Sequence, residues 1–431
     1  MSSYACTPVS GPLDAVVTVP GSKSVTNRAL IAAALADGDS LLSNVLLADD
    51  TRLMIDALRT LGFAITVDEG DSVTEVTGCR GHLPACEGEL FCGNSGTTMR
   101  FCTALAALGH GRFLLDGIER MRERPIGELA EVLQTLGTGI EYLGTDGYPP
   151  IAVHATGLSG GHVAFRSPRS SQMVSALLLA APYAARDLLI DVTGEVTSAS
   201  YLRMTTAVMD MFGVCVIEQY QAKGAKFIVE APQRYRGSTV TIEPDASNAA
   251  YFLAAPAVAG GRVTVSGLKV DSIQGDARFV DVLERMGCQV GPSDAGLTVE
   301  RPDPAEPLRG VDVDLNDMPD TVQTLAVLAL FADGPTIIRN VASLRLKETD
   351  RLAALARELG KLGADIEEKE DSIRIEPPER IRAAEIDTYN DHRMAMSFAL
   401  AGLRCPGLVI NNPDCCSKTF PDFFERLERL G

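Results

Sequence analysis

The chain has 431 residues, of which 46% are hydrophobic and 22% charged, and its net charge at pH 7 is −18. This length exceeds what one ordinary hydrophobic core accommodates and predicts roughly two to four domains. Surfaces that bind nucleic acid or anionic membranes carry an excess of positive charge, so the acidic balance argues against both kinds of partner. No apolar run reaches the ~18 residues of a membrane span, and the N-terminus lacks a secretory signal, so we expect a cytoplasmic protein.

Ten cysteines and five histidines are scattered along the chain. They form no CxxC pair, HExxH motif or cluster at metal-ligand spacing, and Cys415 and Cys416 are merely adjacent. This distribution is typical of reduced thiols and does not support a metal site built by the protein. We therefore expect free thiols and no metal ion held by these side chains.

A structural repeat organises the sequence. An apolar residue followed by glycine closes an amphipathic segment at Leu61-Gly62, Leu136-Gly137, Phe212-Gly213, Met286-Gly287, Leu362-Gly363 and Leu430-Gly431. The spacing is about 70 to 75 residues, which indicates a repeated unit. Each copy contains a polar cluster, an apolar helix, a short strand, an amphipathic helix and a further strand. We expect the apolar helix to be buried and the amphipathic helix to cover it, in two domains of three copies each.

The first apolar helix, "RALIAAALADG", begins with a cationic cluster. Lys23 and Asn27 are four residues apart, as are Ser24 and Arg28, so each pair lies on one side of the predicted helix. Cations at a helix start oppose the positive end of the helix dipole, which indicates a functional site. The alternative is that Ser22 or Ser24 caps the helix and the cations are solvated.

The next two apolar helices also follow polar loops. "GNSGTTMR" precedes the second, with Thr97 as a possible cap, and "SPRSSQ" precedes the third, where the serines are possible caps. Arg124 follows in "MRERPIGEL". Loops of this kind expose backbone amides at a helix start, so they suit an anion. The third copy ends near Ser238–Asn248, where we place the joint between domains, and a second crossing near Pro20 follows if the N-terminal strand joins the second half.

The second half repeats the pattern with "DASN", "MPDT" and "YNDHR" before its apolar helices. Asp320 is predicted to cap the fifth helix, and Lys347 and Arg351 form an i,i+4 pair at another predicted helix start, where Glu348 is an alternative capping group. The remaining polar candidates are His392, Arg393 and Lys418. Arginine suits bidentate capture of carboxylate or phosphate, whereas His392 is equally compatible with a structural role.

Taken together, "PGSKSVTNRAL", "GNSGTTMR", "RERPIGEL", "SSQMVSALLLAAP", "LKETDRL", "NDHRMAMSFAL" and "KTFPDFF" resemble the 5-enolpyruvylshikimate-3-phosphate synthase family, in order and over nearly the whole chain. The resemblance implies an α/β fold of inverse, barrel-like type, with two domains of three βαβαββ repeats and two crossings of the chain. One domain would comprise residues 1–20 and 243–431 and the other residues 21–242, with the active site in the cleft between them. It also implies a monomer.

The reaction implied by the resemblance transfers the enolpyruvyl group of phosphoenolpyruvate to the 5-hydroxyl of shikimate 3-phosphate and releases phosphate, without a cofactor. The shikimate 3-phosphate contacts carried over are Lys23, Ser24, Arg28, Ser170, Ser171, Gln172, Ser198, Tyr201, Asp320 and Lys347. The phosphoenolpyruvate contacts are Lys23, Asn94, Gly96, Arg124, Gln172, Arg351, Arg393 and Lys418. Asp320 is implied as the base, Glu348 and Lys23 as the pair that protonates the methylene carbon, and Asp50 and His392 as supporting groups.

Some positions depart from the family pattern, including Phe101 where many members have proline and Ser343 where asparagine is frequent. Two alternatives stay open. One is the related transferase that acts on UDP-N-acetylglucosamine, although the loop "RERPIG" lacks the reactive cysteine usual there. The other is an anion-binding scaffold without catalysis, which would not need Asp320, Glu348 and Lys23.

Overall fold

The computed structural model describes residues 2–431. The chain divides into two compact units. The N-half unit is Gly21–Ile242, and the C-half unit consists of residues 2–20 together with Glu243–Gly431. Two strands at the start of the chain, β1 (Ser3–Ala5) and β2 (Leu13–Val17), therefore belong to the C-half unit.

The N-half unit contains six helices and twelve strands. The helices are α1 (Lys23–Leu35), α2 (Asp49–Thr60), α3 (Gly96–Ala107), α4 (Gly127–Thr135), α5 (Ser171–Ala180) and α6 (Ala199–Met211). The strands are β3 (Asp39–Ser43), β4 (Ala64–Asp68), β5 (Val73–Thr77), β6 (Glu87–Phe91), β7 (His110–Asp116), β8 (Gly139–Tyr142), β9 (Ile151–Thr156), β10 (Gly161–Arg166), β11 (Leu188–Thr193), β12 (Ile217–Gln221), β13 (Gly224–Val229) and β14 (Thr239–Thr241).

The C-half unit has a matching set of elements. Its helices are α7 (Ala246–Ala259), α8 (Phe279–Arg285), α9 (Val322–Leu328), α10 (Arg351–Lys361), α11 (His392–Gly402) and α12 (Phe423–Glu428). Besides β1 and β2, its strands are β15 (Gly261–Ser266), β16 (Gln289–Pro292), β17 (Gly296–Arg301), β18 (Asp312–Asp314), β19 (Thr336–Arg339), β20 (Asp365–Glu368), β21 (Ile373–Glu376), β22 (Glu385–Ile386) and β23 (Val409–Asn411).

The strands form six small sheets, three in each unit, with one shared topology. In the sheet β6-β7-β9-β8, the first pair is parallel and the other two pairs are antiparallel. Four other sheets repeat this arrangement, and β1-β23-β22 is a three-stranded version. The two sheets β14-β3-β5-β4 and β16-β17-β15-β2 each recruit a strand from a distant part of the sequence. The predicted α/β class and sixfold repeat are therefore confirmed.

The apolar helices are buried as the sequence predicted. Every residue of α3, α7, α9 and α11 is buried, as are nearly all residues of α1 and α5. Within each unit the three such helices contact one another, α1 with α3 and α5, and α7 with α9 and α11. Because these helices are apolar all round, contact with like helices and with the sheets is what removes their surface from water.

The recurring glycines end the amphipathic helices. Gly62, Gly137, Gly213, Gly287 and Gly363 follow α2, α4, α6, α8 and α10, and their φ angles lie between +80° and +109°. This left-handed conformation is the usual helix C-terminus and favours glycine, which has no Cβ to clash. Within residues 2–431, no helix is long and apolar enough to cross a membrane, and no group of three or more His, Cys, Asp or Glu side chains could hold a metal ion.

Candidate active site

Serines cap the three buried helices of the N-half unit. The side chains of Ser22, Ser95 and Ser170 accept hydrogen bonds from backbone amides in the first turns of α1, α3 and α5, at 3.3 to 3.4 Å. Of the two alternatives for α1, Ser22 rather than Ser24 is the cap. The sequence suggests Thr97 as the cap of α3, but the cap is Ser95. Ser95 directly precedes the helix, and its side chain accepts from the Thr98 amide.

Hydrogen bonds join the starts of these helices. Asn27 Nδ2 of α1 donates to Thr97 Oγ1 of α3 at 3.0 Å, and Arg100 Nη1 of α3 donates to Gln172 Oε1 of α5 at 3.1 Å. The polar clusters of three repeats therefore meet at one end of the helix group, as expected from their shared position in each copy.

Two of the predicted catalytic residues form an ion pair here. Lys23 Nζ lies 3.2 Å from Asp50 Oδ2, and their side chains are 14% and 5% exposed. Lys23 is the first residue of α1, and Asp50 lies in the first turn of α2, where a carboxylate also suits the helix dipole.

Arg28 is the most deeply buried cation of this group, with 1% of its surface exposed. Its Nε donates to Thr205 Oγ1 at 2.8 Å, Nη1 to the Ser24 carbonyl at 2.9 Å, and Nη2 to Ser175 Oγ and the Tyr201 carbonyl at 3.3 Å. All of these partners are neutral. Burial lowers the pKa of Arg28 to about 10, so the side chain is still a cation at pH 7.

No carboxylate forms an ion pair with Arg28 anywhere in residues 2–431. The rings of Phe101 and Tyr201 lie 5.3 and 6.0 Å from its guanidinium carbon and offer only cation–π stabilisation. A buried charge without an ionic partner is costly, and a bound anion would supply that partner. The environment of Arg28 is thus suited to an anionic ligand.

Arg124 is a second such cation. It is 4% exposed, and its Nη1 donates to the carbonyl and side-chain oxygens of Asn94 at 2.9 and 3.2 Å. Gly96 lies against the ends of the Arg124, Arg100 and Gln172 side chains. A Cβ at Gly96 would lie 2.7 Å from Arg124 Nη2, 2.6 Å from Arg100 Nη1 and 3.0 Å from Gln172 Oε1. The backbone at Gly96 can therefore approach these side chains only without a side chain of its own.

Three further predicted contacts lie at the starts of α5 and α6. Ser171 is the first residue of α5 and is buried. Ser198 precedes α6 with a left-handed φ of 54°, and the Tyr201 carbonyl accepts from Thr205 Oγ1 at 2.7 Å as well as from Arg28. The Tyr201 carbonyl therefore joins the first turn of α6 to Arg28 of α1.

In the C-half unit, Asp320 lies between two arginines. Its Oδ1 accepts from Arg351 Nη1 at 3.1 Å, and its Oδ2 accepts from Arg393 Nη2 at 2.7 Å. The predicted capping role of Asp320 is wrong, because a 3-10 turn, Pro319–Thr321, precedes α9 and neither segment has a side-chain cap. The arginines hold the carboxylate instead.

Arg351 connects three carboxylates. Besides Asp320, it pairs with Asp391 at 2.8 Å and with Glu348 at 2.9 Å. Burial by itself lowers the pKa of Arg351, but the charges of Asp391, Glu348 and Asp320 outweigh burial and raise it. A ligand of Arg351 would therefore compete with carboxylates that the protein already supplies.

The predicted i,i+4 pair of Lys347 and Arg351 is not formed on a helix. Helix α10 begins at Arg351, and Lys347 follows the 3-10 segment Ala342–Leu346. The cap is Asp350, whose Oδ1 accepts from the Ala353 amide at 3.1 Å, and not the alternative Glu348. Asp350 takes this role because it directly precedes the first helical residue.

The remaining candidates surround this network. Lys418 Nζ lies 3.5 Å from Glu348 Oε1, and Arg393 Nη1 donates to Tyr251 Oη at 3.2 Å. His392, the first residue of α11, is fully buried, with Nδ1 3.8 Å from Asp391 Oδ1. Its position is compatible with either of the roles considered for it.

Sequence reasoning missed several residues of these groups. Asp391 lies in the polar cluster "YNDHR". An aspartate directly before a predicted helix is a signal for a helix cap, so this residue could have been identified from the sequence. Thr205 and Ser175 hold Arg28 from the interior turns of α6 and α5, and Tyr251 contacts Arg393 from the interior of α7. Those residues belong to no local motif, so only the tertiary fold reveals them.

Comparison with known proteins agrees with this architecture. The family model described as EPSP synthase (3-phosphoshikimate 1-carboxyvinyltransferase) matches residues 8–427. A relative from Nostoc punctiforme named 3-phosphoshikimate 1-carboxyvinyltransferase is 48% identical, with 97% of each chain covered. One from a Shewanella species with the same name is 47% identical over 96% of each chain.

A solved structure of EPSP synthase from Acinetobacter baumannii is also similar, with a TM-score of 0.80 and 25% sequence identity, over 100% of this chain and 98% of that one. Its similarity covers both units of the chain. Family model, relatives and solved structure agree with the resemblance in the sequence motifs, and the chain belongs to the EPSP synthase family of transferases, which catalyses a step of the shikimate pathway.

Proposed function

We propose that this enzyme transfers the enolpyruvyl group of phosphoenolpyruvate to the 5-hydroxyl of shikimate 3-phosphate, by addition and elimination through a tetrahedral intermediate, with release of phosphate. The relatives' name, 3-phosphoshikimate 1-carboxyvinyltransferase, supports this choice of substrates. We also propose that the enzyme acts as a cytoplasmic monomer and that both units contribute residues to the reaction.

The observation that carries the proposal is the pair of buried guanidinium groups without ionic partners. Arg28 and Arg124 are 1% and 4% exposed, and no carboxylate pairs with either within residues 2–431. Both proposed substrates are phosphorylated anions, and charge-assisted hydrogen bonds to phosphate or carboxylate would replace the missing partners. We assign Arg28 to shikimate 3-phosphate and Arg124, with Asn94 and Gly96, to phosphoenolpyruvate.

Asp320 is the proposed base for the 5-hydroxyl proton. A carboxylate offers about four acceptor positions, so Asp320 can hold Arg351 and Arg393 and also accept a substrate hydroxyl. The nearby guanidinium groups provide fixed positive charge for the anionic groups that react. Proton transfer and charge stabilisation are sufficient for this chemistry.

Glu348 and Lys23 are the proposed pair for protonation of the methylene carbon and its reversal, with Asp50 and His392 in support. Lys23 already pairs with Asp50, and Glu348 with Lys418 and Arg351. The remaining assignments follow the family motifs and are Ser24, Ser170, Ser171, Gln172, Ser198, Tyr201 and Lys347 for shikimate 3-phosphate, and Gln172, Arg351, Arg393 and Lys418 for phosphoenolpyruvate.

The test is a phosphate-release assay with purified protein. We expect phosphate from phosphoenolpyruvate only when shikimate 3-phosphate is present. Release driven by UDP-N-acetylglucosamine instead would reassign the enzyme to the related transferase, and binding of both ligands without release would indicate a scaffold.

The Asp320→Asn variant tests the base separately. It keeps the shape of the side chain and an acceptor oxygen, so we expect it to bind shikimate 3-phosphate but to lose turnover. Full activity of this variant would remove Asp320 from the mechanism.

A further inference from the structure

A buried carboxylate that the proposed chemistry does not use lies on α10. Glu358 is fully buried and follows Arg351 by seven residues, so both lie on one face of the helix. Its Oε1 accepts from the Tyr389 hydroxyl at 2.6 Å, and its Oε2 accepts from the Asp387 amide at 3.0 Å. One carboxylate therefore holds two points of the 387–391 loop, which connects β22 to α11.

The 387–391 loop contains two consecutive residues in the left-handed conformation. Tyr389 and Asn390 have φ angles of 53° and 55°. Asparagine is enriched in this conformation, but a bulky residue such as tyrosine rarely adopts it. Such a conformation persists only where the surrounding structure holds it. The Tyr389 hydroxyl is held from two sides, since it donates to Glu358 and accepts from Arg357 Nη1 at 3.2 Å.

The same loop ends at the network around Arg351. Asp391 Oδ2 pairs with Arg351 at 2.8 Å, and Asp391 Oδ1 accepts from the Arg393 amide at 2.9 Å. Arg393 in turn pairs with Asp320 at 2.7 Å. Arg351 and Glu358 thus fasten the two ends of the 387–391 loop to one face of α10, and the loop leads directly to Arg393.

Two further contacts of the loop are exposed. Asn411 Nδ2 donates to Asp387 Oδ1 at 3.0 Å, and Asn412 Nδ2 donates to Asn390 Oδ1 at 3.2 Å. Water competes for hydrogen bonds of this kind, whereas bonds to a buried group are stronger. Of these contacts, those of the fully buried Glu358 are therefore expected to fix the loop.

We propose that Glu358 is a positioning residue for phosphoenolpyruvate binding, because it holds Tyr389 in the left-handed turn and thereby sets the place of Arg393 beside Asp320. The inference rests on the proposed function, since it takes Arg393 to bind phosphoenolpyruvate. Arg393 follows Tyr389 by only four residues, so a change in the turn shifts the start of α11. A displacement of roughly 1 Å in a group that holds substrate can have a large effect.

The experiment is steady-state kinetics of Tyr389→Phe in the full chain, which keeps the ring and removes the hydroxyl. We expect the KM for phosphoenolpyruvate to rise about 10-fold, the usual size for a lost hydrogen bond to a charged group. The kcat should change less than about twofold, because Arg351 still holds Asp320 at 3.1 Å. A purely structural role would reduce the amount of folded enzyme and leave the KM unchanged.

Tyr4→Phe is the matched control. Tyr4 Oη donates to Glu428 Oε1 at 3.0 Å in the same unit, so this variant also loses a bond between tyrosine and glutamate, and its KM should equal that of the wild type. An unchanged KM in Tyr389→Phe, with an active wild type, overturns the inference alone. A folded wild type that releases no phosphate with both substrates overturns the proposed function and this inference together.

Two variants of Glu358 give the same test without a change at Tyr389. Glu358→Gln keeps an acceptor oxygen for the tyrosine hydroxyl, whereas Glu358→Ala has none. We expect the KM for phosphoenolpyruvate to rise in Glu358→Ala and to be largely restored in Glu358→Gln. Combining Glu358→Ala with Tyr389→Phe should add little, because both changes remove one bond. Equal KM values in wild type and Glu358→Ala, or effects that multiply in the double variant, would contradict the proposal.

Discussion

Arg351 and Asp391 form an ion pair in which Nε lies 2.8 Å from Oδ2 and the two side chains are 1% and 0% exposed. Asp391 also caps α11 by accepting from the Arg393 amide at 2.9 Å. One carboxylate thus holds both the buried arginine and the helix that carries Arg393. Removing Asp391 would take away the most deeply buried of the three carboxylates that compensate the charge of Arg351.

Asp391→Asn should lower the free energy of unfolding by about 1.5 to 3 kcal/mol, as is usual for the loss of a charged hydrogen-bond partner, because Asp320 and Glu348 still pair with Arg351. Asparagine is itself a good helix cap, so the change isolates the charge. Urea denaturation followed by circular dichroism measures the effect. The control is Asp312→Asn, which breaks the exposed pair with Arg339 and should cost less than about 1 kcal/mol. Similar losses in both variants would contradict this view of the Arg351 pair.

Arg28→Gln should weaken shikimate 3-phosphate binding much more than it weakens the fold. Loss of hydrogen bonds from a charged group predicts at least a ~10-fold rise in KM. The unfolding free energy should change by only about 1 kcal/mol, since the penalty for burying an unpaired cation disappears together with its hydrogen bonds. Steady-state kinetics and urea denaturation measure the two effects. Arg203→Gln, at an exposed site on α6, is the control and should leave KM unchanged.

Gly96→Ala should raise the KM for phosphoenolpyruvate with little loss of stability. The new methyl group would displace the ends of Arg124, Arg100 and Gln172, which are flexible side chains rather than backbone. Initial-rate kinetics at varied phosphoenolpyruvate concentration checks the expectation. Gly334→Ala is the control, because a Cβ there meets nothing within 4 Å. An unchanged KM in Gly96→Ala would show that the site tolerates the methyl group.

Asp276→Asn should be increasingly more stable than wild type as pH rises from 4 to 8. The folded protein holds the Asp276 proton up to about pH 7, whereas an ordinary aspartate releases it near 3.8. The folded state therefore binds more protons in this window, and wild-type stability falls as pH rises through it. At pH 8 the variant should gain about 1 to 4 kcal/mol relative to pH 4, since one pKa unit is about 1.4 kcal/mol. Denaturation midpoints at both pH values test this, and a constant difference would contradict it.

Thiol labelling of the native protein at pH 8 should modify Cys86 and Cys215 first, because these two cysteines are exposed. Burial raises the pKa of Cys102 to about 12 and that of Cys288 to about 11, so few of these thiols are in the reactive thiolate form. Peptide mass spectrometry after brief alkylation identifies the modified sites. Denatured protein is the control and should react at all ten cysteines.

The sequence predicted those features that depend on local pattern. The apolar helices, the glycines that end the amphipathic helices and the polar clusters at helix starts all follow from composition and spacing, and the structure contains them. Leu352, Leu355 and Leu359 are likewise fully buried on one face of α10. Hydrophobic periodicity of this kind is the strongest secondary-structure signal in a single sequence.

The errors arose where a side chain had a choice of partners. Asp320 was expected to bind backbone amides, but two arginines distant in sequence compete for it. Lys347 was expected on a helix that in fact begins at Arg351, because Asp350 is the better placed cap. Which partner a polar side chain binds depends on tertiary contacts, and the spacing of residues along the sequence does not predict those contacts.

The pairing of β2 with β15 joins residues that lie almost 250 positions apart. During synthesis, β2 is translated early and cannot pair with β15 until the whole N-half unit and α7 have been translated. The order of translation therefore favours completion of the N-half unit first, since its own late strand β14 is made before β15. A chain that lacked residues 2–17 would expose the β15 edge and invite pairing with other molecules.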